Sequence, residues 1–163
     1  LIFNKDKKTK DPTVRIHSSC LTGDLMGSQK CDCGYQLETA LDYMSKSKKM
    51  NILIYLNQEG RGLGIHNKII SYNIQEKGWD TYQADNILGF SGDERDYKAA
   101  AEILKFFKVK KLNLITNNPE KVEYLKKNKI TVNKMIKIKP GVNPHNKKYL
   151  ETKKIIGKHL LNL

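Results

Sequence analysis

The chain has few cysteines and few arginines, and it contains no long apolar run. Its three cysteines all lie within CLTGDLMGSQKCDCG, residues 20–34. An odd number of thiols and no visible secretory signal argue against a disulfide framework. No apolar run reaches the length needed to span a bilayer, and the sequence lacks the G-x-x-x-x-G-K-[ST] run of a P-loop NTPase. Extracellular disulfide scaffolds, membrane-spanning proteins and P-loop enzymes are therefore disfavoured.

The length and composition suit one soluble domain. The 163 residues are 39% hydrophobic and 29% charged, which is typical of a globular domain with an ordinary core. We find no repeat, linker or low-complexity boundary, so we predict that residues 1–163 form a single domain, which is large enough to hold an active site. The absence of a secretory signal predicts a cytoplasmic location. Because the chain starts with Leu1, we expect an N-terminal segment of the full protein to be missing.

The charge is strongly basic, with a net charge of +13 from 30 basic and 17 acidic side chains. Such a balance suits anionic partners, although lysine runs are also common on solvated faces. Only Arg15, Arg61 and Arg95 are arginines. A guanidinium offers a planar fork of donors that lysine lacks. We hypothesise that these three positions need that fork, with chance placement as the alternative.

Short apolar strands alternate with helical patterns along the chain. Compact apolar runs predict strands at 14–17, 51–56, 111–115 and 130–135. Apolar residues at helical spacing predict helices at 35–48, at 65–77, after residue 96, after residue 118 and at 147–159. This alternation predicts an α/β domain with a mixed sheet and flanking helices.

The cysteine spacing C-x10-C-x-C can bring three thiolates together if residues 22–30 fold back as a loop. Three protein ligands suit a catalytic zinc, whose fourth position holds water or substrate. A zinc-bound water loses its proton near neutral pH and becomes a nucleophile. Since His17 lies three residues before Cys20, it could instead close the site as a fourth ligand. Catalytic and structural zinc both remain open from spacing alone.

Two further segments could contact a charged ligand. QEGRGLG, residues 58–64, follows a strand, but the third glycine of the dinucleotide fingerprint falls on Ile65. Arg61 in this loop suggests direct contact with an anion. TNNPEK, residues 116–121, has a proline suited to a first helical position, and helix N-termini bind phosphate. A polar loop that only caps the helix is an equal alternative.

The motifs VRIHSSCLTGD, KCDCGYQLE, QEGRGLG, DERD and LITNNPEKVE, in this order, resemble GTP cyclohydrolase II, the first committed enzyme of riboflavin synthesis. The resemblance runs from about Val14 to Leu161. It implies an enzyme that opens the imidazole ring of GTP, releases formate and diphosphate, and leaves a diaminopyrimidine ribosylamine phosphate. It also implies one zinc per subunit, magnesium with the GTP phosphates and a homodimer, with neither nucleic acid nor membrane as partner.

The resemblance implies roles for individual residues. It makes Cys20, Cys31 and Cys33 the zinc ligands and leaves the fourth position to water, so that His17 becomes a substrate contact. The positions that match contacts to guanine, ribose or phosphate are Arg15, His17, Ser18, Ser19, Gln36, Glu59, Gly60, Arg61, Thr81, Thr116 and Lys121.

Three residues match the family's catalytic groups. Arg95 matches an arginine proposed to attack the α-phosphorus and displace diphosphate, and Asp93 matches its proton acceptor. If Arg95 only stabilises charge on the phosphoryl group, the planar fork of donors on its guanidinium still explains why arginine rather than lysine occupies this position. Tyr72 matches an active-site tyrosine that could orient water or carry a proton. The structural alternatives are a charged helix start for DERD and a half-buried aromatic for Tyr72.

Three positions depart from the family pattern, which leaves two alternatives open. Ser19 stands where many members carry Glu, Ile70 where Arg is frequent and Asp85 where Asn is frequent. A relative with partial or altered purine turnover is therefore one alternative. The other is an RNA-binding module with a structural zinc, which explains the charge and the cysteines. That reading leaves the DERD, QEGRG and TNNP segments unexplained, and the sequence lacks the RNP signatures.

Overall fold

The computed structural model describes residues 1–5, 9–91 and 93–163 of the chain. The strands are β1 (Ile2–Phe3), β2 (Thr13–Ser18), β3 (Asn51–Leu56), β4 (Lys111–Ile115) and β5 (Thr131–Ile136). They form one sheet in the order β1-β3-β2-β4-β5. Because β1 runs antiparallel to β3 while the other neighbours run parallel, the sheet is mixed, as predicted.

Helices connect and flank these strands. They are α1 (Cys33–Lys46), α2 (Gly64–Glu76), α3 (Thr81–Ile87), α4 (Lys98–Phe106), α5 (Pro119–Lys127) and α6 (Lys147–Ile155). A π-helical turn covers Leu21–Leu25, and a 3-10 turn covers Glu59–Gly62. Among the described residues, every helix is too short or too polar to cross a membrane. The predicted α/β class with flanking helices is confirmed.

The structure differs from the predicted elements mainly in α3 and at the end of α6. Helix α3 is short and polar, so the spacing of its few apolar residues does not predict a helix. It is set by a capping box, in which the Asp80 carboxylate accepts the backbone N–H groups of Tyr82 and Gln83. Helix α6 ends at Ile155 rather than at residue 159. The positive φ of 50° at Lys158 is incompatible with a helix that continues to residue 159.

The sheet is buried on both faces, as in most parallel sheets. On one face, Val14 and Leu114 pack with Leu104 of α4 and Leu125 of α5. On the other face, a second cluster includes Ala40, Met44, Leu53, Ile115 and Ile138. The continuous apolar runs of β2, β3 and β4 therefore reflect coverage by helices on both sides.

The parallel strands bring several of the sequence motifs to one edge of the sheet. Ser18 pairs with Leu56 at the ends of β2 and β3, and Arg15 pairs with Ile115 at the end of β4. The cysteine segment, the EGRG loop and the TNNP segment follow these three strand ends directly. Ligands of α/β sheets bind outside the carboxyl ends of the strands. The topology therefore places the candidate site here.

Candidate functional site

A deep cleft opens at the carboxyl ends of β2, β3 and β4. It holds about 1190 Å³ of empty space, counting the solvent at its mouth, which is ample for a nucleotide. Every residue that the sequence predicted as a zinc, substrate or catalytic group lines this cleft, except Asp93. The Asp93 carboxylate instead contacts Arg95, which does line it. The tertiary structure thus brings together residues that are more than 100 positions apart.

The three cysteines form a cluster at the cleft wall. Their Sγ atoms all lie within 4.8 Å of one another, and the Sγ atoms of Cys20 and Cys31 are 3.7 Å apart. Tetrahedral zinc with Zn–S bonds of about 2.3 Å needs sulfurs roughly 3.8 Å apart. Among the described residues, this group contains no histidine or carboxylate. The donor set therefore suits zinc with three protein ligands.

Two glycines allow the thiols to approach one another. A Cβ at Gly23 would lie 2.8 Å from the Cys31 sulfur and 3.1 Å from the Cys20 sulfur. A Cβ at Gly34 would collide with the Gly23 carbonyl oxygen. The π-helical turn consequently packs directly against the first turn of α1. This contact is the fold-back of residues 22–30 that the cysteine spacing requires.

His17 is held away from the cysteine cluster by hydrogen bonds of its own. Its Nε2 atom lies 3.0 Å from Asp24 Oδ2, and its Nδ1 atom lies 3.3 Å from an Arg15 nitrogen. Its ring also stacks on Tyr55, with 5.5 Å between centroids. Burial lowers the pKa of His17 although Asp24 opposes this shift. The structure therefore does not support the spacing-based alternative of a fourth ligand.

Lys68 adjoins the cluster and is not among the site residues predicted from the sequence. Its Nζ atom lies 3.1 Å from the Cys20 sulfur and 2.7 Å from Glu59 Oε1. Hydrogen bonds from Cys31 and Cys33, joined by the Lys68 charge, lower the pKa of Cys20, which favours the thiolate that binds metal. Lys68 lies one helical turn before Tyr72, so both face the cleft. That four-residue spacing was the available sequence signal.

Glu59 and Tyr72 occupy the wall next to the thiols. Glu59 accepts the backbone N–H of Leu21 in addition to its ion pair with Lys68. The carboxylate therefore ties the EGRG loop to the turn that carries the cysteines. Tyr72 has the Lys30 ammonium 4.9 Å from its ring centroid, and burial raises the pKa of its phenol. Tyr72 thus stays protonated and can donate a hydrogen bond into the cleft.

Arg15 organises the floor of the cleft. It donates to Gln36 Oε1 at 2.8 Å and to the Ile115 carbonyl at 3.2 Å. Burial lowers the pKa of Arg15 to about 10, so it stays charged at neutral pH. Among the described residues, Arg15 Nε and Ser18 Oγ have no hydrogen-bond partner. Buried polar groups are normally paired, so these two atoms indicate a polar ligand.

Arg95 and Asp93 form a two-point ion pair beside the cleft. Arg95 Nε donates to Asp93 Oδ1 at 2.8 Å, and a second guanidinium nitrogen donates to Oδ2. Burial opposes both charges, yet Asp93 raises the pKa of Arg95 and Arg95 lowers the pKa of Asp93. The arginine is therefore charged here, with a carboxylate positioned to accept its Nε proton. The DERD segment ends before α4, and its last residue, Asp96, accepts the backbone N–H of Lys98 at 2.7 Å, so the alternative of a charged helix start holds only for Asp96.

Arg61 is fixed by three neighbours. Its backbone has a positive φ of 61°, unusual for a residue with a side chain, and this bend turns it towards α3. There it contacts Asp85 Oδ2 at 2.5 Å and donates to the Thr81 carbonyl at 3.1 Å. Its guanidinium stacks on Tyr82 at 4.4 Å. Because Asp85 is almost fully buried, much of the Arg61 charge is already neutralised.

Replacing Asp85 by asparagine should therefore strengthen anion binding. The change removes a carboxylate that competes with phosphate for Arg61, and we expect about fivefold tighter binding of inorganic triphosphate at low salt. Calorimetric titration of purified protein measures this affinity. Asp42→Asn makes the same change of charge at the exposed Asp42–Lys46 pair and should leave the affinity unchanged. Weaker binding by Asp85→Asn would show that Asp85 instead positions Arg61.

The TNNP segment forms the N-terminus of α5 at the cleft edge. Pro119 takes a first-turn position, as predicted, and the Asn118 side chain accepts the N–H of Glu120 at 2.9 Å. Thr116 Oγ1 accepts the N–H of Asn118 at 3.0 Å, and Lys121 Nζ donates to the Ile16 carbonyl at 2.8 Å. The segment therefore caps the helix and also lines the cleft. Its phosphate role stays a prediction.

Comparison with known proteins gives one consistent family. A family model described as GTP cyclohydrolase II matches residues 1–137. The chain is similar to GTP cyclohydrolase-2 of Helicobacter pylori (strain P12), with 49% identity over 94% of this chain and 78% of that protein. It is also 49% identical to GTP cyclohydrolase-2 of Psychromonas ingrahamii, over 94% of this chain and 76% of that protein. GTP cyclohydrolase-2 of Blochmanniella pennsylvanica is 50% identical over 88% of this chain and 72% of that protein.

Proposed function

This chain belongs to the GTP cyclohydrolase II family, a family of hydrolases, and we propose that it opens the imidazole ring of GTP with release of formate and diphosphate. The remaining product is a diaminopyrimidine ribosylamine phosphate, so the reaction would be the first committed step of riboflavin synthesis. The observation that carries the proposal is the juxtaposition of a three-thiol cluster with Arg15, Arg61 and Arg95 around one cleft. These two groups of side chains support a metal centre and an anion site within the same cleft.

The thiol side of the cleft would act on the purine ring. Cys20, Cys31 and Cys33 would hold zinc, which when bound would act as a Lewis acid and lower the pKa of a water. Tyr72 lines the cleft beside this cluster, and its protonated phenol can orient a water or donate to a ring nitrogen. Lys68 holds its charge against the Cys20 sulfur and offsets the negative charge of the thiolates. These side chains define the ring-opening half of the site.

The arginine side would act on the triphosphate. Arg95 presents its guanidinium to the cleft, and Asp93 is positioned to accept its Nε proton. Arg95 would contact the α-phosphoryl group, either as the attacking nucleophile or as a stabiliser of charge that develops there. Arg61 and Lys121, which both line the cleft, would add N–H donors for the remaining phosphates, and magnesium would accompany these phosphates. Diphosphate is the leaving group of this half-reaction.

The polar groups between these two halves would select guanine. Gln36 and Glu59 offer amide and carboxylate oxygens at the cleft wall. The Glu59 carboxylate accepts hydrogen bonds from Lys68, Leu21 and Gly60 and has about four acceptor sites, so it keeps capacity for a ligand. Acceptors of this kind match the amino and ring N–H groups of guanine. The unpaired Ser18 hydroxyl and Arg15 Nε provide further contacts for ribose or phosphate. The combination favours GTP over nucleotides whose base lacks these donors.

One assay tests the proposal. Purified, zinc-loaded protein is incubated with GTP and magnesium, and formate, diphosphate and the pyrimidine product are measured separately. Release of all three in equal amounts is the expected result, and ATP should give none of them. Diphosphate without formate would indicate a relative with a partial reaction, and intact GTP together with RNA binding would favour the binding-module alternative. We further propose a homodimer, which sedimentation analysis of the same sample can test.

A further inference from the structure

Part of the cleft wall comes from beyond the segment that the family model matches. The family match ends at residue 137, whereas Tyr149, Lys153 and His159 line the same cleft. Their segment is firmly packed, because Leu150 and Leu161 are buried. In addition, the backbone N–H of Leu160 donates to the Asn117 carbonyl at 2.9 Å. Residues 147–161, which we call the C-terminal wall, therefore form a built part of the site.

The Lys153 ammonium has N–H donors that its contact with Asp32 does not use. Its Nζ atom lies 3.4 Å from Asp32 Oδ1, at the long end of the hydrogen-bond range, and 5.5 Å from the Tyr149 ring centroid. The Asp32 carboxylate also accepts a 2.7 Å hydrogen bond from Gln36. Since an ammonium carries three N–H donors, Lys153 keeps donors for a ligand in the cleft.

His159 shows that this part of the cleft is electropositive. Burial, followed by the charges of Lys153, Arg95, Lys121 and Arg15, lowers the pKa of His159 to about 2. The imidazole is thus neutral and still has one N–H donor. Burial and the charges of Arg15, Arg95 and Lys153 also lower the pKa of Lys121 well below its usual value, so these cations lie close enough to repel one another. A polyanion among them would relieve that repulsion, which a neutral nucleoside could not do.

We propose that Lys153 and His159 bind the β- and γ-phosphates of the nucleotide, so that the C-terminal wall holds the diphosphate that leaves. The inference deepens the proposed function and rests on it for the identity of the nucleotide. The resemblance assigns Arg95 to the α-phosphorus, and Arg95 lies in the same group of cations around His159. Lys153 and His159 would therefore contact the next two phosphates, β and γ. Most of the negative charge of a nucleoside triphosphate lies on its β- and γ-phosphates, and these cations can neutralise that charge.

Calorimetric titration of the full chain, loaded with zinc, with inorganic diphosphate and separately with guanosine tests this assignment. Lys153→Met should weaken diphosphate binding about tenfold or more because a charge-assisted hydrogen bond is lost, and guanosine binding should not change. Lys153→Arg should restore most of the diphosphate affinity. Lys154→Met removes the same charge from the exposed neighbouring position and should leave both affinities unchanged. His159→Ala should weaken diphosphate binding in the same direction.

Two outcomes would overturn the inference. Unchanged diphosphate affinity in Lys153→Met would show that the ammonium does not contact phosphate. Equal weakening of diphosphate and guanosine would show that Lys153 acts only by holding Asp32 and the start of α1. Because these titrations need no turnover, they separate the two proposals. A protein that binds diphosphate through Lys153 but releases no formate from GTP would contradict the proposed reaction and leave the phosphate assignment intact.

Discussion

Replacement of Cys31 by serine should remove bound zinc and abolish formate release from GTP, with a loss of about 10³-fold or more. The Cys31 sulfur lies 3.7 Å from that of Cys20 inside the cluster, and a serine hydroxyl is a far weaker zinc ligand than a thiolate. Two remaining sulfurs cannot hold the metal in a site that keeps one position for water. Metal content by atomic absorption and formate by enzymatic assay give two independent readouts.

The control for this variant is metal removal from the unaltered chain. Chelation should stop formate release, and added zinc should restore it in the unaltered chain but not in Cys31→Ser. Gly23→Ala provides a second variant that keeps all three thiols, because its Cβ would press against the Cys31 sulfur and should weaken zinc binding. Full formate production by metal-free Cys31→Ser would eliminate the metal from the ring-opening step.

Arg95→Lys should lower the rate of diphosphate release by about 10²–10³-fold although the positive charge is kept. Arg95 uses two guanidinium nitrogens to grip Asp93, and it can still offer others to a phosphoryl group. A lysine ammonium is a single point of charge and cannot make both contacts in this planar arrangement. Single-turnover measurement of diphosphate, alongside formate from the same samples, isolates the step that is affected.

Glu94→Gln is the matched control for this experiment. Glu94 lies between the two partners in the chain, but its side chain contacts Ser91, so diphosphate release should stay within about twofold of the original rate. Asp93→Asn should resemble Arg95→Lys, and the double variant should be little worse than either single one because the pair acts as a unit. An unchanged rate of diphosphate release in Arg95→Lys would show that position 95 needs neither an arginine nucleophile nor the planar set of guanidinium donors.

The three-cysteine cluster was the part of the site that sequence reasoning could describe most completely. All three cysteines lie within fourteen residues. Because the loop between them is short, the three thiols can be arranged around a metal in only a few ways. Gly23 and Gly34 sit where the loop must pass close to the start of α1. Spacing nevertheless left His17 open as a fourth ligand. The competing partners Asp24 and Arg15 were visible only once the strand and the turn had been placed in space.

Contacts across long sequence distances were beyond prediction from the chain alone. Lys121 donates to a carbonyl 105 residues away, and Lys153 reaches Asp32 across 121 residues. Such pairs depend on how parallel strands and their helices are ordered, which no local pattern encodes. Helix α3 was missed for a related reason, because capping by Asp80 and packing stabilise it more than its own apolar pattern does.

By itself, the sequence determined the alternation of strands and helices, the gathering of three thiols and the family, because each depends on residue types at short or ordered spacings. The tertiary structure alone decided which charges meet. It set Asp85 against Arg61, Lys68 against Cys20, and His159 within reach of the charges of Lys153, Arg95 and Arg15. The physical reason is that electrostatic interactions act through distance in space, and only the folded sheet brings these side chains to one edge.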